Sequence, residues 1–215
     1  MKEMKVRITF IKPVLGTKPS DPKIHSHYVA SKAPNAKSME REIADLGVEA
    51  VEERGKTIFL KMEDGTPYLE AYQMRGFFKE ACRMLQQVPG TLSSKKNSRG
   101  TAYAFSSYKS KIDGLIFVYG PLKYDDEVMP LIMPMDLDLT ATDNQRPLRA
   151  QTPQGERVAL AHSEEVPAGT YFECTIQCLN DEHMKLVREW LDYGRLKGMC
   201  QWRNSGKGRF IWEEI

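Results

Sequence analysis

The sequence predicts an α+β fold: a four-stranded antiparallel sheet with two helices on one face, in the order strand, helix, strand, strand, helix, strand. Three observations carry this expectation. Residues 5–13 alternate, with Val6, Ile8 and Phe10 on one side and Arg7, Thr9 and Ile11 on the other, the period of a strand with one core face. Residues 73–87 set Met74, Phe77, Phe78, Ala81, Cys82 and Leu85 on one helical stripe, with Arg75, Lys79, Glu80 and Arg83 outside it. The pair then recurs. Phe172, Cys174, Ile176 and Cys178 share a strand face over 171–179, and Met184, Val187 and Leu191 line a helix over 181–193.

In chain order, Pro13 and Gly16 end the first strand, and residues 17–34 are polar and broken by Pro19, Pro22 and Pro34. Asn35 or Ser38 caps a short helix through Leu46, carrying Met39, Ile43 and Leu46 on one stripe. Thr57–Leu60 reads as a short strand and Glu63-Asp-Gly-Thr66 as a turn. Residues 14–68 are therefore an insertion on the scaffold. Pro89-Gly90 stops the first long helix. Thr91–Lys111 reads as a basic, polar loop, and Leu115–Tyr119 as a buried strand. Residues 121–168 form a second insertion, in which 121–142 is irregular and rich in Met, Pro and Asp and 144–160 carries Arg146, Arg149 and Arg157 among turn residues. Asn180 or Asp181 caps the second long helix, and 209–214 is the last strand. Without the insertions the core is 5–13, 73–87, 115–119, 171–179, 181–193 and 209–214. That βαββαβ order is ferredoxin-like, or RRM-type, in a single domain spanning 1–215.

The chain has 215 residues and a formal net charge of +2, so it is not a strongly basic coater of nucleic acid, although local basic stripes remain open to it. Mean hydropathy is −0.50 and no apolar run reaches membrane-spanning length, so no membrane partner is expected. The N-terminus lacks a secretory apolar region, and the four cysteines form no CxxC pair. They read as reduced thiols in a cytoplasmic protein. Asp136 and Asp138 are one carboxylate pair without a third ligand, so neither a metal nor a cofactor is predicted.

Two stretches carry chemistry. Residues 194–212 hold Gly194, Gly198, Gly206 and Gly208 among Arg195, Lys197, Arg203, Lys207 and Arg209, with no acid before Glu213. Glycines let the backbone turn at positive φ and approach a ligand closely, and forked or mobile cations suit phosphate. A solvated basic connector is the competing reading. Trp202 within it reads as a core anchor, with a stacking face as the alternative. Residues 91–111 interleave Lys95, Lys96, Arg99, Lys109 and Lys111 with Tyr103, Phe105 and Tyr108, a pattern suited to stacking bases while holding phosphates. A mobile solvated loop is the alternative there.

Four stretches resemble the RAMP superfamily of CRISPR-associated RNA-binding subunits. Ile8–Gly16 resembles its first strand ending in glycine. Pro67–Ala81 is similar to its strand-to-helix segment, Glu165–Ile176 to its Val-Pro-Ala-Gly-Thr strand entry, and Gly198–Phe210 to its C-terminal glycine-rich loop. Glu70-Ala-Tyr-Gln73 replaces the family's Pro-Gly-Ser-Ser. Asp21 is the only nearby counterpart of the aspartate with which some members cut RNA, and its motif is not matched.

The resemblance implies a non-catalytic binder of single-stranded RNA or DNA, with RNA preferred. It implies self-assembly along the strand, or a CRISPR or phage replication protein as partner. The expected contacts are Arg75, Lys79, Lys95, Lys96, Arg99, Lys109, Lys111, Lys197, Arg203, Gly206, Lys207, Gly208 and Arg209. Two alternatives stand beside this. One is a metal-independent endoribonuclease using His25 or His27, since cleavage at a ribose 2′-OH needs a general acid and base. The other is a phage or prophage interaction module that mimics a CRISPR subunit.

Overall fold

The computed structural model describes residues 1–20, 56–121, 131–132, 141–152 and 155–215. The expected helix before Leu46, the histidines His25 and His27, and the Asp136 and Asp138 pair lie outside the described residues. In chain order the elements are strands β1 (Lys2–Phe10), β2 (Val14–Leu15), β3 (Lys18–Pro19), β4 (Thr57–Ile58), β5 (Leu60–Lys61) and β6 (Pro67–Leu69), helices α1 (Ala71–Leu85) and α2 (Tyr108–Leu115), strands β7 (Ile116–Tyr119), β8 (Leu131–Ile132), β9 (Thr142–Thr152), β10 (Gly155–Val166) and β11 (Tyr171–Cys178), helix α3 (Asp181–Lys197) and strand β12 (Phe210–Glu214).

The alternating apolar residues of β1, β11, β7 and β12 pair into one antiparallel sheet, ordered β12-β1-β11-β7. Met4, Val6, Ile8 and Phe10 of β1 fall on the same face as Phe172, Cys174, Ile176 and Cys178 of β11, and all eight are buried. The apolar stripes of α1 and α3 join them in one core, in which Phe77 packs edge-on to Phe210 at 5.1 Å and Phe78 tilts against Trp190 at 5.7 Å. Local signals agree with this packing. Asn180 Oδ1 accepts the His183 N–H at 2.8 Å, Asp181 and Glu182 fill the first turn of α3, and Arg195 and Lys197 its last. Glu70 and Gln73 close a capping box on α1. The opposite sheet face pairs its own charges: Arg7 reaches Glu173 at 2.7 Å and Glu213 at 3.5 Å and lies over Tyr171.

Two regions differ from the sequence expectation. Residues 108–111, read as the end of a basic loop, and Leu115, read as the start of a strand, both belong to α2. Only Ile112 on it is buried and Gly114 weakens its intrinsic preference, so the helix owes its form to packing on α1, where Lys79 pairs with Asp113 at 2.6 Å. Residues 142–166, of which 144–160 read as turn residues, form a long antiparallel hairpin, β9 on β10, in register from Thr142↔Glu165 to Thr152↔Gly155. Pro147 within β9 masks the strand signal, although Thr152-Pro-Gln-Gly155 carries the proline and glycine of a tight turn. The base of β10 is held by β2 and β4, at Glu165↔Leu15, Val166↔Val14 and Ser163↔Thr57.

Candidate nucleic-acid interface

The glycine-rich stretch after α3 folds into a tight loop docked on the end of β1. Five of its residues have positive φ: Gly198 (76°), Cys200 (64°), Trp202 (52°), Gly206 (86°) and Gly208 (70°). For Cys200 and Trp202 that conformation costs on the order of 1–3 kcal/mol each, held by the surrounding structure. Gly208 is where a side chain would do most harm, since its Cβ would lie 2.0 Å from the Met199 carbonyl oxygen. Met199 N–H donates to the Gly208 carbonyl at 2.9 Å, Gly208 N–H to that of Pro13 at 2.8 Å, and Ile11 N–H to that of Arg209 at 2.9 Å. Gly206 is different. Its Cβ would meet nothing nearer than the Arg209 guanidinium at 3.6 Å, so it sits at an open turn.

The hairpin base grips this loop through polar side chains. Arg146 of β9 is 6 % exposed, and its Nη1 donates to Ser163 Oγ at 2.9 Å and its Nη2 to Gln201 Oε1 at 2.9 Å. Its guanidinium lies over the Trp202 ring, 5.1 Å from the centroid. Burial pulls the Arg146 pKa below the ordinary arginine value, and Glu165 opposes that shift. On the same hairpin face, Glu165 Oε2 accepts Lys207 Nζ at 2.6 Å and Asn144 Nδ2 at 3.0 Å. Glu164 faces the other way, to Lys61 at 2.7 Å and the Phe59 N–H at 3.0 Å. From the helix side, Glu80 of α1 pairs with Arg203 and, at 3.5 Å, with Lys197. Burial lowers the Arg203 pKa as well. Arg146 Nε, Arg209 Nε and Asn144 Oδ1 are buried and have no hydrogen-bond partner.

The structure thus brings Lys197, Arg203, Gly206, Lys207, Gly208 and Arg209 together, and adds Arg146 from the hairpin. Lys207 is not the solvated cation that its composition suggests; its side chain is 20 % exposed and paired. Trp202, read first as a core anchor, is 37 % exposed. Arg75 is half-buried on α1 with no ion-pair partner among the described residues, and Lys79 is held by Asp113.

The 91–111 cations sit on separate supports. Glu189 of α3 accepts the N–H groups of Leu92 and Ser93, and Ser93 Oγ accepts Trp190 Nε1–H at 2.9 Å. These bonds fix a groove of about 560 Å³ that includes Gln87, Thr91, Lys95, Lys96 and Tyr103 in its walls. Lys96 lies 3.5 Å over the Tyr103 ring, while Arg99 and Lys109 are exposed. Phe105 is a core residue at 6 % exposure, tilted against Trp190 and edge-on to His183 with Lys111 over it, so it is not free to stack bases. Among the described residues, no group of three or more His, Cys, Asp or Glu side chains is placed to hold a metal ion, and no helix is long and apolar enough to cross a membrane.

No family model matches the chain, and no curated protein matches it in sequence. Among solved structures, a chain of the Type III-B Cmr-beta complex bound to cognate target RNA matches 100 % of this chain, with a TM-score of 0.52 and 9 % identity. The two share a fold. The chain spans 59 % of the length of that neighbour. A chain of a Type IV-B CRISPR complex (TM-score 0.45, 12 % identity, 100 % of this chain and 90 % of that one) and Cmr6 from Pyrococcus furiosus (0.45, 9 %, 98 % and 97 %) are more distant and carry no argument. At 9 % identity the likeness is one of fold alone and assigns no residue a role.

Proposed function

We propose that this protein binds single-stranded nucleic acid, RNA in preference to DNA, without cutting it, along the glycine loop and the base of the β9–β10 hairpin. The observation that carries the reading is the junction itself. Arg146, Lys197, Arg203, Lys207 and Arg209 converge there; Glu80 pairs with Lys197 and Arg203 and Glu165 with Lys207, while Arg146 and Arg209 have no ion-pair partner among the described residues. Forked and point cations on a strained, open turn suit phosphates. The open sheet face suits them less, because Arg7 is already flanked by Glu173 and Glu213.

The four-stranded sheet, with β1 and β11 central and α1 and α3 on one face, is read as a ferredoxin-like unit into which 14–68 and 121–168 are inserted, the whole chain making one domain. The preference for RNA and the place in a CRISPR-type assembly rest on likeness to the Cmr-beta chain, whose complex holds target RNA. The cations of the 91–111 groove would extend the same strand's path.

Filter binding of single-stranded RNA, single-stranded DNA and duplex over a salt series tests this. About 3–5 phosphate contacts give a log–log slope of roughly −2 to −4 for a single strand. The RNA should emerge uncut. No retention of any single strand at low salt would refute the reading.

A further inference from the structure

We propose that the indole of Trp202 is a stacking platform for one unpaired nucleobase of the bound strand. The proposal rests on the reading of the loop as a single-strand site and adds what that site recognises besides charge. Trp202 is held at a φ of 52°, in the left-handed region that a residue with a bulky side chain rarely adopts, and the residue remains 37 % exposed. Arg146 covers the ring from the inside. Arg146 is 6 % exposed and its guanidinium donates to Ser163 and Gln201, so the indole is backed by a planar, hydrogen-bonded cation at 5.1 Å.

With Arg146 over one face of the ring, the exposed part of Trp202 is left to a ligand. The residue is flanked in sequence by Arg203, with Lys207 and Arg209 beyond, which are suited to the phosphates on either side of a base. Gln201 Oε1 is occupied by Arg146, leaving its amide nitrogen to donate to a base edge. Beyond the Arg146 contact, the 37 % of Trp202 left in water gains nothing from packing within the protein. It gains from a flat partner, and stacking of this kind tolerates any base.

The test measures the affinity of short oligoadenylate and of the matching abasic ribose-phosphate oligomer for the wild type, Trp202→Leu and Trp202→Phe, with thermal melting of each. The expected result is a roughly 5- to 150-fold loss of oligoadenylate affinity in Trp202→Leu. Trp202→Phe should retain most of the affinity. The salt slope should not change, because no phosphate contact is touched. The abasic oligomer should bind the wild type more weakly than oligoadenylate and should not distinguish the variants. Equal affinity of folded Trp202→Leu and wild type for oligoadenylate would overturn the platform while leaving single-strand binding standing. If Trp202→Leu fails to fold, equal binding of the abasic and the base-bearing oligomer by the wild type overturns it instead. Wild type that retains neither oligomer would overturn both readings.

Discussion

Replacing Gly206 and Gly208 separately by alanine distinguishes a loop closed by its own backbone from one whose glycines are interchangeable. Both positions have positive φ, 86° and 70°. Alanine in the left-handed region costs about 1–2 kcal/mol at either site. At Gly206 that is the whole penalty, since the new methyl carbon meets only the Arg209 side chain at 3.6 Å. At Gly208 the methyl carbon would lie 2.0 Å from Met199 O and 3.1 Å from its carbonyl carbon, so backbone must move. Overpacking of this kind adds about 1–3 kcal/mol, which brings Gly208→Ala to roughly 2–5 kcal/mol. At about 2–4 °C per kcal/mol for a chain of this size, Gly206→Ala should lower Tm by roughly 2–8 °C and Gly208→Ala by roughly 4–20 °C. Urea titration provides the second assay, with the midpoint moving and the slope unchanged. Equal losses in the two variants, or a larger one at Gly206, would refute the claim that the loop closes through Met199 and Gly208.

Two further outcomes follow from the same geometry. Lys207→Met leaves Glu165, 14 % exposed, with only Asn144 for a partner; a loss of about 1–3 kcal/mol is expected in urea titration, and adding Glu165→Gln should recover part of it. Burial first, and Lys111 second, hold the His183 pKa below its usual value near 6.5, with Glu182 opposing. The unfolded chain therefore takes up the proton first, and stability should fall as pH drops from about 6.5 towards the lower folded value. His183→Gln should flatten that part of the pH–stability curve, and an unchanged slope would count against the reading.

Much of the scaffold is legible in the sequence because its period and its burial coincide. The stripe Met74, Phe77, Phe78, Ala81, Cys82 marks α1 since every one of these residues enters the core, and the alternation of Phe172, Cys174, Ile176 and Cys178 marks β11 for the same reason. The hairpin is not legible. Its strands carry Asn144, Arg146, Ser163 and Glu165 towards the glycine loop, so the alternation that defines a strand is written in polar residues that propensity assigns to turns. Helix α2 is hidden by the same rule in reverse, with one buried residue, Ile112, and tertiary contacts in place of a stripe. The loop's composition pointed to its cations, but not to Glu80 and Glu165, which come from 70–166 and meet it only in three dimensions. Arg146 and Trp202 lie 56 positions apart, and no local pattern joins them.

The ion pairs at the junction bear on what kind of ligand the proposed site would select. Lys207 against Glu165 and Arg203 against Glu80 are cations already placed and partly desolvated, so a ligand does not have to order long mobile side chains on arrival. The same pairs mean that a lone phosphate gains little, because it exchanges one anion for another at each cation. A strand differs from a free phosphate in two ways. It brings several phosphates at fixed spacing, so that capture of one makes capture of the next effectively intramolecular. It also brings bases, and a base on Trp202 adds attraction that no carboxylate of the protein opposes. In the proposed reading, then, Glu80 and Glu165 act as placeholders that set the threshold: inorganic phosphate and mononucleotides should compete poorly against RNA. Glu165→Gln should lower the threshold at Lys207 by removing the competing charge while keeping a hydrogen-bond acceptor beside it.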